Sequence, residues 1–308
     1  MRISDEDRLK GSLLVLLAAV LHAAVPVAGK YAQQSMNTAT YVFLWAFFAV
    51  LFTQCYFLLF GMWRVAMRQI AVHWKTFLIM GLCQAGASWT FFYGVVLIDP
   101  TVAAFFGRAS AIFSLVLGVL FLRERLNAME AAGIALAIIG ALVITWDGGQ
   151  VKILGMLMVV ASTLFFALFT FTAKIRVSGI HPMVLVSGGS TVSAALLFVS
   201  GIGAGTLEFN QNVEAVSALA AGAFFGGFLG IGTFYRGLKY IGFAVGSALR
   251  SAQVVFVALL SWFTLRMQPD PQDWAGGLVI IAGVLLLTLA GRRRRSTLDV
   301  PSQGPAGS

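Results

Sequence analysis

GSLLVLLAAVLHAAVPVAGK, residues Gly11 to Lys30, returns 144 positions later as GMLMVVASTLFFALFTFTAK, residues Gly155 to Lys174, with Gly, Leu, Val, Ala and the closing Lys in register. Further along, FFYGVVLIDPTVAAFFGRAS (Phe91 to Ser110) matches TFYRGLKYIGFAVGSALRSA (Thr233 to Ala252) at an offset of 142, pairing Tyr93 with Tyr235 and Arg108 with Arg250. Gly133 and Gly140 pair with Gly276 and Gly283 at 143. Three matches in one order, drifting by two residues, describe a unit written twice.

The unit is membrane material. Of 308 residues 59% are hydrophobic and 11% charged, with a mean hydropathy of +0.89, where a soluble domain carries about 25% charge. The charges gather between long apolar runs, which excludes a soluble enzyme, a disordered chain and a disulfide scaffold. Cys55 and Cys83 both sit inside apolar runs, where thiols behave as small hydrophobes.

A bilayer core needs roughly 20 apolar residues per helix. Dividing the chain at its charges and turn residues gives ten segments: 11–31, 39–61, 76–98, 101–122, 128–146, 153–174, 183–201, 214–235, 242–265 and 273–291. The expected fold is an all-α integral membrane protein of ten transmembrane helices arranged as two five-helix repeats. Residues 1–10 form a cytoplasmic N-terminus, 11–146 the first repeat, 147–291 the second, and 292–308 a basic, disordered cytoplasmic tail. Five is odd, so the second copy enters the membrane in the opposite sense and the repeat is inverted.

Lys and Arg set the orientation. Sixteen lie on the amino-terminal side, against Lys30, Lys152 and Arg266 on the other, so both termini are expected in the cytoplasm of a cell inner membrane. The acidic residues Asp5, Glu6 and Asp7 and the length of the first apolar run argue for its retention rather than cleavage as a signal peptide. The net charge of +9 resides in short loops and in Arg292 to Arg295, the pattern of a stop-transfer anchor rather than of nucleic-acid binding.

The paired lysines Lys30 and Lys174, the LFLRERL stretch from Leu120 to Leu126, and the glycine-spaced fifth and tenth segments resemble the drug/metabolite transporter superfamily, specifically its ten-helix EamA-type members. The resemblance covers roughly residues 11–291. It implies two five-helix halves, cytoplasmic termini and a central cavity lined by the first, third, fourth, sixth, eighth and ninth helices. This chain departs from the family pattern in having Ala111 where members usually carry a proline thirteen residues before Glu124, with Gln253 at the matching place. Its second half has Thr264, Leu265 and Arg266 where a second glutamate would stand.

Ionisable groups at membrane depth are costly and therefore functional hypotheses. Arg108 and Arg250 are the deepest, each about the eighth residue of its segment and entering from opposite faces. All twelve acids fall at helix ends or in loops. The substrate is therefore expected to supply the negative charge, as a carboxylate, phosphate, phosphonate or sulfonate that fits the planar guanidinium fork. Snorkelling or bonding to backbone carbonyls is the alternative for each arginine.

The other expected substrate-site residues are weaker. Lys30 and Lys174 are anion funnels or snorkelling helix ends; Tyr93 and Tyr235 are hydroxyl donors or belt residues. Gln253, one turn from Arg250, is the best uncharged candidate. Gln84 with Trp89, and His22 with Pro26, follow. Pro26 frees a backbone carbonyl toward the cavity. Gly222, Gly226 and Gly230 have the spacing for close helix packing.

No G-x-x-x-x-G-K, H-E-x-x-H, G-x-S-x-G or metal-spaced cysteine pattern occurs, so no cofactor, metal or enzymatic centre is expected. The expected function is a secondary transporter moving a small organic anion by alternating access. The alternatives are an exporter of zwitterionic amino acids or related metabolites and, from another class, a non-transporting assembly or receptor-like subunit. The expected partners are an anionic small-molecule substrate and the lipid bilayer, not nucleic acid; a homodimer is compatible with the sequence.

Overall fold

The computed structural model describes residues 5–97, 109–124, 126–145, 153–265 and 271–296, and among them there is no strand. α1 (Asp5–His22) and α2 (Ala24–Ala32) share the first apolar segment; α3 (Thr38–Leu59), α4 (Trp63–Val72), α5 (Trp74–Leu97), α6 (Ala109–Phe121) and α7 (Ala128–Thr145) complete the first repeat. The second opens with α8 (Ile153–Arg176) and α9 (Pro182–Gly203). It continues without interruption through α10 (Val213–Gly222), a π-helical stretch (Ala223–Gly230) and α11 (Ile231–Gly237), then α12 (Phe243–Arg250), α13 (Gln253–Leu265) and α14 (Pro271–Ser296).

Among the described residues five runs are long and apolar enough to cross a membrane: Glu6–Gly29, Thr38–Leu59, Ile153–Arg176, Pro182–Gly203 and Val213–Gly237. That is half the ten expected. Shorter apolar helices at Ser110–Phe121, Ala128–Gly140, Phe243–Val257 and Trp274–Leu287 fall inside the expected fourth, fifth, ninth and tenth segments. Residues 101–108 of the expected fourth segment lie outside the described residues. The chain is a multi-pass helical membrane protein.

Local chemistry starts the helices where sequence places them. Asn37 accepts from the Thr40 amide at 2.8 Å and Asn212 from the Glu214 amide at 3.0 Å. Asn127 and Glu130 form a reciprocal capping box, 2.7 and 3.0 Å, at the head of α7. An element outside the ten expected segments, α4, lies between the second and the third of them. Its apolar residues recur at helical spacing, with Ala66 buried and Met67 and Ile70 packed on the core while Arg64 and Arg68 face outward.

The two repeats are joined crosswise. A Cβ on Gly94 (α5) would stand 2.6 Å from Val159 Cγ2 and 3.0 Å from the Gly155 carbonyl of α8. In the counterpart contact a Cβ on Gly237 (α11) would stand 2.7 Å from Val15 Cγ2 and 2.9 Å from the Gly11 carbonyl of α1. Gly155 and Val159 are the repeat mates of Gly11 and Val15. α7 and α14 run antiparallel: a Cβ on Gly133 would stand 3.0 Å from the Gly283 carbonyl and one on Gly140 2.6 Å from that of Gly276. Each glycine meets the repeat mate of the other, the signature of a two-fold relation.

Two helices break at mid-length. Pro26 has no N–H to give the His22 carbonyl four residues back, and α1 stops at His22. The ninth expected segment, predicted continuous, is cut between α12 and α13. Ser251 and Ala252 turn there on i→i−3 bonds to Ala248 and Leu249, 2.9 and 3.1 Å.

Candidate functional site

Both breaks open onto a cavity of about 530 Å³ between the repeats. α1 and α2 contribute His22 and Val25; α5 contributes Gln84, Ala87, Ser88 and Phe91; α6 contributes Ser110, Ala111 and Ser114. From the second repeat come Ser162, Thr163, Phe166, Phe169 and Thr170 of α8, Ile231 and Phe234 of α11, and Ser247, Arg250, Ser251 and Gln253 across the second break. These are the helices the resemblance implies. α3 is added to them through Tyr41, Val42 and Trp45.

Arg250 ends α12, where the carbonyl end of a helix favours a cation. Its guanidinium carbon lies 5.0 Å from the Phe166 ring centroid and 4.9 Å from that of Phe234. Such stacking holds the fork by cation–π attraction and directs its N–H groups along its own plane. One of them, on Nη2, meets Nε2 of His22 at 3.0 Å. Gln253 Nε2 donates to the His22 carbonyl at 3.4 Å, the acceptor that Pro26 leaves without its helical partner.

The hydroxyls have a direction. Ser162 and Thr163 donate to the carbonyls of Val159 and Val160 at 2.8 and 2.7 Å, Thr170 to Phe166 at 3.0 Å, and Ser88 to Gln84 at 3.1 Å. Their protons are spent on their own helices, so they offer the cavity lone pairs. Tyr41 and Trp45 stack at 6.5 Å and 27° on the α3 wall. No Asp or Glu stands among the described lining residues.

Of the ten residues expected in a substrate site, four converge here: His22, Gln84, Arg250 and Gln253. Trp89 and Tyr93 pack on one another at 5.8 Å and face outward, outside the described lining. Tyr235 is fully buried in the core against Phe169 and Phe234. Arg108 and the side chain of Lys30 lie outside the described residues.

Lys174 serves the turn between α11 and α12. Its ammonium donates to the carbonyls of Leu238 and, at 2.6 Å, Ile241. Glu124 meets the same turn from the first repeat, accepting from the amides of Phe243 and, at 3.0 Å, Ala244 at the head of α12. The LFLRERL stretch explains its aim. Arg123 adopts φ +52° and the Glu124 amide donates to Gly118 O at 3.1 Å, a left-handed helix ending that folds the carboxylate back beside Gly118. Gly118 and Gly242 leave room for it; a Cβ on either would lie 2.9 or 3.0 Å from Oε2.

Gly222, the last residue of α10, and the glycines of the π stretch seat this segment on the first helix pair. A Cβ on Gly226 would lie 2.1 Å from Val25 Cγ2, one on Gly222 2.7 Å from Ala28 Cβ, and one on Gly230 3.4 Å from the His22 amide nitrogen. Their spacing is thus a packing device at the cavity's edge. What sequence reasoning missed is the aromatic and hydroxyl lining, because Phe, Trp, Ser and Thr look alike in an apolar helix whichever way they face.

Comparison with known proteins agrees with this architecture. A crystal structure of a protein with 17% sequence identity superposes with a TM-score of 0.77 over 92% of this chain and 98% of that one, a likeness of fold. An uncharacterized transporter of Archaeoglobus fulgidus is 31% identical over 105 residues, and one of Methanothermobacter thermautotrophicus 25% identical over 197 residues. The matched stretches cover 34% and 60% of this chain and only 38% and 55% of those relatives' lengths. The EamA-like transporter family matches twice, at residues 9–146 and 153–289, one copy for each repeat. With its duplicated halves meeting crosswise and nearly all of its helical length matched, this chain belongs to the EamA-like transporter family.

Proposed function

We propose that the protein is a secondary transporter that moves a small organic anion across a cell inner membrane, both termini cytoplasmic, by rocking two inverted five-helix halves about the shared cavity. The observation that carries the substrate class is Arg250, a cation held between two aromatic rings at a helix break and lining the space between the halves. A guanidinium so placed recognises carboxylate, phosphate, phosphonate or sulfonate oxygens. Arg108, its repeat mate, is the second proposed anion ligand.

The test is flux of benzoate and of inorganic phosphate into proteoliposomes, alongside thermal stabilisation by the same anions. Arg250→Ala is expected to abolish both while leaving the ligand-free melting temperature near that of wild type. Undiminished flux in that variant overturns the assignment, and stabilisation without any flux in wild type favours a receptor-like subunit.

A second reading is favoured by the back-bonded hydroxyls. Ser162, Thr163 and Ser88 present acceptors, and Trp45 a π face, to the same cavity whose donor is Arg250. That division suits a zwitterionic amino acid, carboxylate on Arg250 and ammonium on the acceptor wall. Competition of phenylalanine against benzoate separates the two.

A further inference from the structure

His22 is, among the described lining residues, the one histidine beside Arg250, and its geometry fixes its protonation. Arginine can only donate. Nε2 of His22, 3.0 Å from Nη2 of Arg250, is therefore the acceptor, and the imidazole is neutral with its proton on Nδ1. Nδ1 itself is buried with no hydrogen-bond partner among the described residues. The ring thus has one nitrogen that takes a proton only by giving up Arg250.

Among the described lining residues there is no Asp, Glu or Lys beside the ring. α11 sets Tyr235, buried in the core, beyond Arg250; α3 contributes Tyr41; α13 contributes the amide of Gln253. The π stretch is alanine, phenylalanine, glycine and leucine, and the described α14 residues that pack with Leu16 of α1, Ile280 and Val284, are apolar. On α2, Tyr31 is engaged by Glu214 at 3.1 Å, away from the ring.

We propose that His22 is a proton-binding site coupled to the anion, so that the carrier takes up one proton from the cavity with each anion. This rests on the anion reading given above. A proton on Nε2 turns the acceptor into a second donor beside the guanidinium. Two adjacent cations out of water repel, and an oxyanion set between them, one oxygen to each, removes that repulsion. Proton and anion then bind with positive linkage, each raising the affinity for the other by the same factor. With the anion gone the proton leaves, and Nε2 accepts from Arg250 again. The position of His22 at the carbonyl end of α1 favours the charged ring in the loaded state.

The experiment is calorimetric titration of the purified full chain with benzenesulfonate, an anion whose own charge is constant between about pH 5 and pH 8, the range in which histidine titrates. In wild type the affinity is expected to rise as pH falls, by up to about tenfold per pH unit, with uptake of close to one proton per sulfonate from weakly buffered solution. His22→Gln keeps an acceptor for Arg250 and cannot titrate; its binding should be independent of pH and take up no proton. The proton count is read on the unmodified protein, so the result does not depend on how the variant folds. Sulfonate binding that is flat with pH and proton-neutral in wild type overturns the coupling and leaves the anion reading standing, as does a pH slope that persists in His22→Gln. If benzenesulfonate, benzoate and inorganic phosphate all fail to bind at every pH, the anion reading falls and the coupling with it.

Discussion

His22 and Arg250 stand 228 positions apart in the chain and 3.0 Å apart in space, Nε2 to Nη2, and each is the last residue of a half-helix. The coincidence has a physical cause. A polar side chain at a helix break reaches a cavity without unsatisfied backbone being turned to lipid, since the break itself lines the cavity. The two breaks meet because α1 of the first repeat packs on the α11 and α12 region of the second.

Glu124 ties the repeats at one end of that contact. Glu124→Ala removes the acceptor for two amides at the head of α12 and should lower stability by about 1–3 kcal/mol, with Glu124→Gln losing less. Gly118→Ala should act in the same direction by displacing the carboxylate. Thermal unfolding in detergent checks the series, and a wild-type-like melt for Glu124→Ala would show that the cap contributes nothing.

Lys174 is expected to behave as a structural cation. Lys174→Met strands the carbonyls of Leu238 and Ile241, at a cost of about 1–3 kcal/mol, while the affinity for cavity ligands stays unchanged. A funnel role would appear instead as a slower, salt-dependent association with stability intact, and stopped-flow binding at two ionic strengths separates the outcomes.

Of the glycines that seat the π stretch on the first helix pair, Gly226 makes the tightest approach. Gly226→Ala puts a methyl 2.1 Å from Val25 Cγ2 and should destabilise by about 1–3 kcal/mol. Val25→Ala alone opens space, and the double variant should recover most of the loss. A double-mutant cycle measures the coupling, and additive effects would place the strain elsewhere.

At the head of α9, outside the apolar run, Nδ1 of His181 accepts from the Met183 amide at 3.3 Å. Desolvation, and then the positive charges of Arg236 and Lys239, hold its pKa below the ordinary value. The unfolded chain therefore binds the proton first. The contribution is full above an unfolded value of about 6.5 and declines as pH falls toward the lower folded value. Melting temperatures at neutral and mildly acid pH should diverge in wild type and converge in His181→Asn, which caps without titrating.

How far the site could be read from sequence depended on how rare each residue type is at membrane depth. His22, Gln84, Arg250 and Gln253 were legible because a polar side chain inside an apolar run has few reasons to be there. Tyr41, Trp45, Ser162 and Thr163 were not, because such residues are common on lipid-facing, core-facing and cavity-facing positions alike. Tyr93 and Tyr235 show the limit of repeat logic: mates in sequence, one is exposed and the other fully buried. The amide and carbonyl partners of Glu124 and Lys174 are backbone groups more than sixty residues away, and a backbone has no sequence signal.

Sequence by itself determined the helical membrane class, the duplication and the break before Pro26, because hydropathy and proline act within a few residues of themselves. Only the tertiary structure decided that α1 leans on the other repeat, that Glu124 and Lys174 close one turn, and that His22 meets Arg250. Those outcomes turn on which helix faces touch, and glycine seats such as Gly11, Gly94, Gly155 and Gly237 set them by how closely two backbones can approach.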